Sequence, residues 1–164
     1  MALSLETAAL IWTLCSERLP GSIVDLGSGY SSFVVRNWVK ASGHRPVVWS
    51  VDDDARWLQR SRQYCEERGV DASNFTTWDV FRHTPLKFDL ILYDLGRMPV
   101  RFENVGRALD LCSPSGIVVV DDMHKFNYHK EVERVLAEKG FTGVDMREST
   151  TDAHEGRHCW LATR

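Results

Sequence analysis

The sequence predicts an α/β fold, a doubly wound and mainly parallel sheet of seven strands with helices on both faces. Three observations carry this. Short apolar runs alternate with stretches of helical periodicity along the chain. Most of the runs are continuous rather than alternating, as in strands buried on both faces. A glycine turn, Gly27-Ser28-Gly29, stands between the first run and the helix after it.

Taken in order, Ser4 to Leu19 carries apolar residues at Ala8, Ile11, Trp12, Cys15 and Leu19, the spacing of one helix face, and Pro20-Gly21 stops it. Ser22 to Leu26 is the first strand, and a helix follows the glycine turn from Ser31 to about Lys40. Val47 to Val51 is the second strand, ending in Asp52, Asp53 and Asp54 before a helix with Trp57, Leu58, Ser61 and Cys65 on one face. Phe75 to Trp78, closed by Asp79, and Phe88 to Tyr93, closed by Asp94, are strands whose joining helix is minimal or missing. Val105, Leu109 and Cys112 mark a helix that Ser113-Pro114-Ser115-Gly116 breaks. The β-branched run Ile117 to Val120 then leads into Asp121-Asp122. A helix through Val132, Val135 and Leu136 ends at Gly140, and Phe141 to Met146 and His158 to Thr163 are the last strands, joined by a polar loop from Arg147 to Arg157.

At 164 residues with 43% hydrophobic content, one domain over residues 1–164 with one core is expected. The net charge of −3 comes with scattered Lys and Arg, so there is no basic stripe for a phosphate backbone and nucleic acid is not the expected partner. Cys15, Cys65, Cys112 and Cys159 lie far apart without metal-ligand spacing, and read as core residues in a reducing compartment. The N-terminus lacks a basic leader and no apolar run reaches a membrane span, so a cytoplasmic protein with no membrane partner is expected.

In open parallel sheets ligands bind beyond the carboxyl ends of the strands, where the order switches. Here those positions are acidic: Asp25, Asp52, Asp79, Asp94, Asp121 and Asp122. The turn Gly27-Ser28-Gly29 lets backbone approach a ligand closely. A carboxylate two residues before the first glycine, with no third glycine near Ser32, argues against a pyrophosphate and for a ligand with a positive end. Asp52 is placed to accept from two ribose hydroxyls, and Asp53 stands with it; Asp54 reads as the cap of the next helix.

Val24-Asp25-Leu26-Gly27-Ser28-Gly29-Tyr30-Ser31-Ser32, followed by Trp49-Ser50-Val51-Asp52-Asp53-Asp54-Ala55-Arg56-Trp57-Leu58, resembles the first two motifs of class I S-adenosylmethionine-dependent methyltransferases. The resemblance implies a Rossmann-like fold with an antiparallel last strand, matched by His158 to Thr163, and S-adenosylmethionine as cofactor. It implies cofactor contacts from Asp25, Gly27, Ser28, Gly29, Asp52 and Asp53, adenine recognition by Asp79, and Tyr93-Asp94 bordering the transfer site, with Asp94 serving cofactor and catalysis.

Asp94 with Val120-Asp121-Asp122 also resembles, over a short stretch, the metal-dependent O-methyltransferases, which implies a Mg²⁺ held by Asp94, Asp121 and Asp122. The competing reading has Asp121-Asp122 capping the next helix and Asp94 meeting the cofactor alone. His124 is a candidate general base, whereas Tyr128, His129, His154 and His158 read as surface or loop residues. The acceptor expected is a small-molecule hydroxyl. With Leu95 to Arg101 as the one sizeable loop after the fourth strand, a homodimer mate or partner subunit is a candidate to complete the acceptor pocket. A non-catalytic subunit or regulator and an NAD-dependent oxidoreductase are the alternatives.

Overall fold

A computed structural model describes residues 3–164. The strands are β1 (Ser22–Leu26), β2 (Val47–Asp52), β3 (Phe75–Thr77), β4 (Phe88–Tyr93), β5 (Cys112–Val120), β6 (Thr142–Asp145) and β7 (Trp160–Thr163). The helices are α1 (Leu5–Arg18), α2 (Tyr30–Ser42), α3 (Ala55–Glu67), α4 (Trp78–Phe81), α5 (Met98–Asp110), α6 (Phe126–Glu138) and α7 (Arg147–Thr150). The sheet order is β3-β2-β1-β4-β5-β7-β6. β1 pairs in parallel with β2 and β4, and β7 runs antiparallel to both β5 and β6. The expected Rossmann-like sheet with its antiparallel last strand is therefore what the chain forms.

Alternate strand residues face opposite layers, as a pleated sheet requires. Val24, Leu26, Ile91, Tyr93, Val118 and Val120 pack with Val105 and Leu109 of α5 and Val132 and Leu136 of α6. Ile23, Leu90, Leu92 and Val119 pack instead with Ile11 and Cys15 of α1 and Val35 and Trp38 of α2. This alternation decides where Asp25 points: lying between Val24 and Leu26, it shares the α1/α2 face with Ile23 and is buried there at 1% exposure. All four cysteines are buried and free, and no described helix is long and apolar enough to cross a membrane.

Two stretches differ from expectation. Trp78 opens α4 rather than closing β3, because its indole is buried in the α5/α6 layer and donates to Asn104 Oδ1 at 3.0 Å. β5 starts at Cys112, and the predicted break lies inside it: Phe88 faces Cys112 and Leu90 faces Ile117, so Ser113-Pro114-Ser115-Gly116 bulges from the ladder. A Cβ on Gly116 would stand 2.8 Å from Phe88 O, so the bulge folds back onto β4 at a point that needs glycine.

Candidate active site

β1 leads to β2 on one side, and the later β4 falls on its other side, so the switch point lies between β1 and β4. The two loops there touch. Gly27 has φ +111°, and a Cβ on it would lie 2.3 Å from the carbonyl oxygen of Asp94. Backbone hydrogen bonds fix the junction: Gly27 N donates to Val51 O at 2.8 Å, and Asp94 N to Leu26 O at 2.7 Å. Two cavities, of about 370 and 490 Å³, open above it and share Gly27, Ser28, Trp57 and Asp94. The first also takes in Gly29 and Tyr64, the second Asp52 and Asp53.

The acids at this edge are held in different ways. Asp25 lines neither cavity: it accepts from Ser31 Oγ at 3.0 Å and Ser32 Oγ at 2.5 Å, pinning the start of α2, while its buried Oδ1 has no hydrogen-bond partner among the described residues. Burial pushes its carboxyl up to about 7, against the two seryl bonds and the nearby Arg36 guanidinium. Asp52 accepts from Ser28 Oγ at 3.1 Å and from Asp54 N at 3.0 Å, and burial raises it to about 6. Asp54 caps α3 by accepting from Arg56 N and Trp57 N. Asp53 lies over Gly96, where a Cβ would come within 2.6 Å of its carboxylate.

The structure does not bring Asp79 to either cavity. It stands in the first turn of α4, its side chain 87% exposed, with Arg82 Nη2 at 3.8 Å. The geometry gives an adenine contact from this residue no support, because closing β3 one residue early turns Asp79 toward solvent.

The three carboxylates expected around Mg²⁺ are also arranged otherwise. The guanidinium of Arg101, a residue 8% exposed, lies between two of them: Nη1 donates to Asp122 Oδ2 at 2.5 Å and Nη2 sits against Asp94 Oδ1. Lys125 Nζ adds a second cation on Asp122 Oδ2, and Asp121 Oδ1 accepts from the backbone N of Asp122 at 2.8 Å. Burial raises Asp94 and Asp121, with Arg101 opposing; at Asp122 burial is outweighed by Lys125 and Arg101, and the carboxyl is lowered. Among the described residues no three His, Cys, Asp or Glu side chains are grouped to hold a metal ion.

His124 stands beside this cluster, Nδ1 3.7 Å from Asp122 Oδ1, and burial lowers its pKa despite that carboxylate. Tyr128 and His158 are buried, at 1% and 4% exposure, contrary to the surface reading, because α6 and β7 turn them inward. Trp57, expected on the buried stripe of α3, is 43% exposed and reaches back over the glycine turn, its Nε1 donating to Ser28 O at 2.6 Å. Arg101 and Trp57 are thus the site residues that sequence reading missed. Arg101 begins a buried stripe with Val105, Ala108 and Leu109, which was the signal for it.

Comparison with solved structures gives the same architecture. The chain has the class I methyltransferase fold. It superposes with a TM-score of 0.72 and 19% identity on the O-methyltransferase TomG from Streptomyces achromogenes, involved in tomaymycin synthesis and solved with S-adenosylmethionine, covering 98% of this chain and 80% of that one. An O-methyltransferase from Bacillus cereus in complex with S-adenosylhomocysteine gives 0.74 at 14% identity, over 98% and 81%. The ribosomal protein L11 methylase from Lactobacillus delbrueckii subsp. bulgaricus gives 0.69 at 16%, over 100% and 81%. No family model and no curated protein matches the sequence. Within the methyltransferase fold, the two cavities of this chain lie at the carboxyl ends of β1, β2 and β4, where the topology directs ligands.

Proposed function

We propose that this chain is an S-adenosylmethionine-dependent methyltransferase that methylates a hydroxyl of a small molecule, acting in the cytoplasm. One observation carries the reading: at the β1/β4 switch point a glycine turn pressed onto the backbone of Asp94 lines two cavities with Asp52, Asp53 and Asp94, and behind it Asp25 is buried with one oxygen that has no hydrogen-bond partner among the described residues. Carboxylates so placed repel a pyrophosphate and attract a ligand with a cationic end. The cavities fall within the roughly 300–1,000 Å³ usual for small-molecule sites. The neighbours solved with S-adenosylmethionine and S-adenosylhomocysteine support the cofactor, and the O-methyltransferases among them support a hydroxyl acceptor.

In this reading Asp52 takes the ribose hydroxyls with Asp53 beside it, Asp94 borders the ammonium end, and Asp25, buried behind the cavity wall, acts through Ser31 and Ser32, while Gly27, Ser28 and Gly29 allow close backbone approach. When bound, the cofactor supplies a methyl carbon already activated by its sulfonium. The chain has then to align an acceptor, exclude water and take up a proton. Trp57 lines both cavities and reaches over the glycine turn. His124 remains the candidate base: burial lowers its pKa despite Asp122, and it lines a neighbouring cavity with Phe126 and His158 rather than either cavity at the glycine turn, so an acceptor reaching it would have to extend past Asp122.

The test is calorimetric titration with S-adenosylmethionine and separately with NAD, followed by transfer of an isotopically labelled methyl group to a panel of hydroxyl acceptors. Micromolar binding of S-adenosylmethionine, with label appearing in a hydroxylated acceptor, is expected. Binding of NAD in its place, or of neither, overturns the reading.

A further inference from the structure

We infer that the guanidinium of Arg101 is the resident cation at the ends of β4 and β5, standing where a divalent metal would otherwise sit, and that the protein binds no divalent cation there. Arg101 is fixed at both ends. Its Nε donates to Gly96 O at 3.1 Å, its Nη atoms meet Asp122 and Asp94, and its carbonyl accepts from the buried Tyr93 hydroxyl at 2.9 Å. A planar fork bound to two carboxylates and a carbonyl spans β4, its following loop and β5, the three segments a metal would tie together.

The acids here are already answered by cationic side chains. The cavity at this point, about 250 Å³, is lined by the cations Arg97, Arg101, Lys125 and Arg157 against the acids Asp94, Asp121 and Asp122. Both oxygens of Asp122 face cations or imidazole, Oδ2 toward Arg101 and Lys125 and Oδ1 toward His124. One oxygen of Asp121 is engaged by a backbone N–H. An entering divalent ion would have to expel a guanidinium from a buried ion pair and add two charges where cationic side chains already outnumber acids. The inference concerns Asp94, Asp122 and Arg101 alone, and holds whatever the cofactor or acceptor.

Manganese is the probe, because free Mn²⁺ gives a paramagnetic resonance signal that binding broadens. The whole chain is titrated as wild type, as Arg101→Met, which keeps an unbranched stem without the charge, and as Arg101→Met with Asp122→Asn. The wild type is expected to leave the free-Mn²⁺ signal unchanged into the millimolar range, Arg101→Met to take up Mn²⁺, and the double variant to lose that uptake. Wild-type uptake abolished by Asp122→Asn alone overturns the inference, as does a folded Arg101→Met that takes up none. If Arg101→Met does not fold, the wild-type melting temperature decides: no change between Mn²⁺ and chelator supports the inference, and a Mn²⁺-induced rise that Asp122→Asn removes refutes it.

Discussion

Replacing Gly27 by alanine tests the junction on which the site is built. The residue adopts φ +111°, a conformation L side chains rarely take, which by itself costs about 1–3 kcal/mol. The added Cβ would also lie 2.3 Å from the Asp94 carbonyl oxygen and 2.4 Å from its carbon, and neither is the free end of a side chain. Relief requires β4 to part from β1, loosening the 2.7 Å bond from Asp94 N to Leu26 O, or the turn to swing off Val51 O; each such bond is worth about 1 kcal/mol. Together these give a loss of about 2–4 kcal/mol, a large share of the ~5–15 kcal/mol of a typical domain. Gly43→Ala is the control: its φ is +72° but nothing lies within 4 Å of the new Cβ, so only the left-handed backbone cost of about 1–2 kcal/mol applies. Urea denaturation followed by circular dichroism compares the two variants. A Gly27→Ala protein within about 1 kcal/mol of Gly43→Ala would refute the packed junction.

Three further outcomes are expected. Asp25→Asn changes the pH dependence of stability: with the folded carboxyl raised to about 7 against 3.8, its contribution is fully present below the unfolded value and is lost as pH rises through 7. The wild type should therefore lose a few kcal/mol, on the order of 2–4, between pH 4 and pH 8 relative to Asp25→Asn; parallel denaturation profiles would refute the burial of a charge at that position. Asp52→Ala should cost on the order of 2 kcal/mol of S-adenosylmethionine affinity by calorimetry, and an unchanged affinity removes Asp52 from the site. Asp79→Ala should alter that affinity by less than ~0.5 kcal/mol, since an exposed side chain away from both cavities is being removed; a tenfold loss would restore its adenine role.

The sequence made the sheet legible because buried parallel strands are short continuous apolar runs, and Ser22–Leu26, Val47–Asp52 and Phe88–Tyr93 fall where such runs predict them. It made the glycine turn and Asp52 legible because both are defined by position after a strand. What escaped depends on partners distant in sequence. The bulge at Ser113–Gly116 is set by β4 opposite it, and α4 opens at Trp78 because that indole finds Asn104. Arg101 is one of 20 scattered Lys and Arg residues, and only the docking of α5 over the ends of β4 and β5 gives it Asp94 and Asp122. The acids alone left a metal and a helix cap as competing readings; the cation that meets Asp94 and Asp122 lies on a helix whose orientation no local pattern states.

The edge of the sheet poses an electrostatic problem, because carboxylates at the ends of adjacent strands repel one another and most of them are buried. The chain solves it unevenly. At β4 and β5 Arg101 and Lys125 meet Asp94 and Asp122 directly, and at β3 Asp79 is turned out to solvent. At β1 and β2 the partners are hydroxyls and backbone N–H groups around Asp25 and Asp52, which satisfy hydrogen bonds without bringing a full charge into contact. Arg36, the nearest buried cation, is spent on Ser50 Oγ, Ser73 O and the Phe75 ring. The carboxylates without a direct ion pair are therefore on the β1/β2 side of the switch point, where burial raises the carboxyls of Asp25 and Asp52 and, among the described residues, Asp25 Oδ1 has no hydrogen-bond partner.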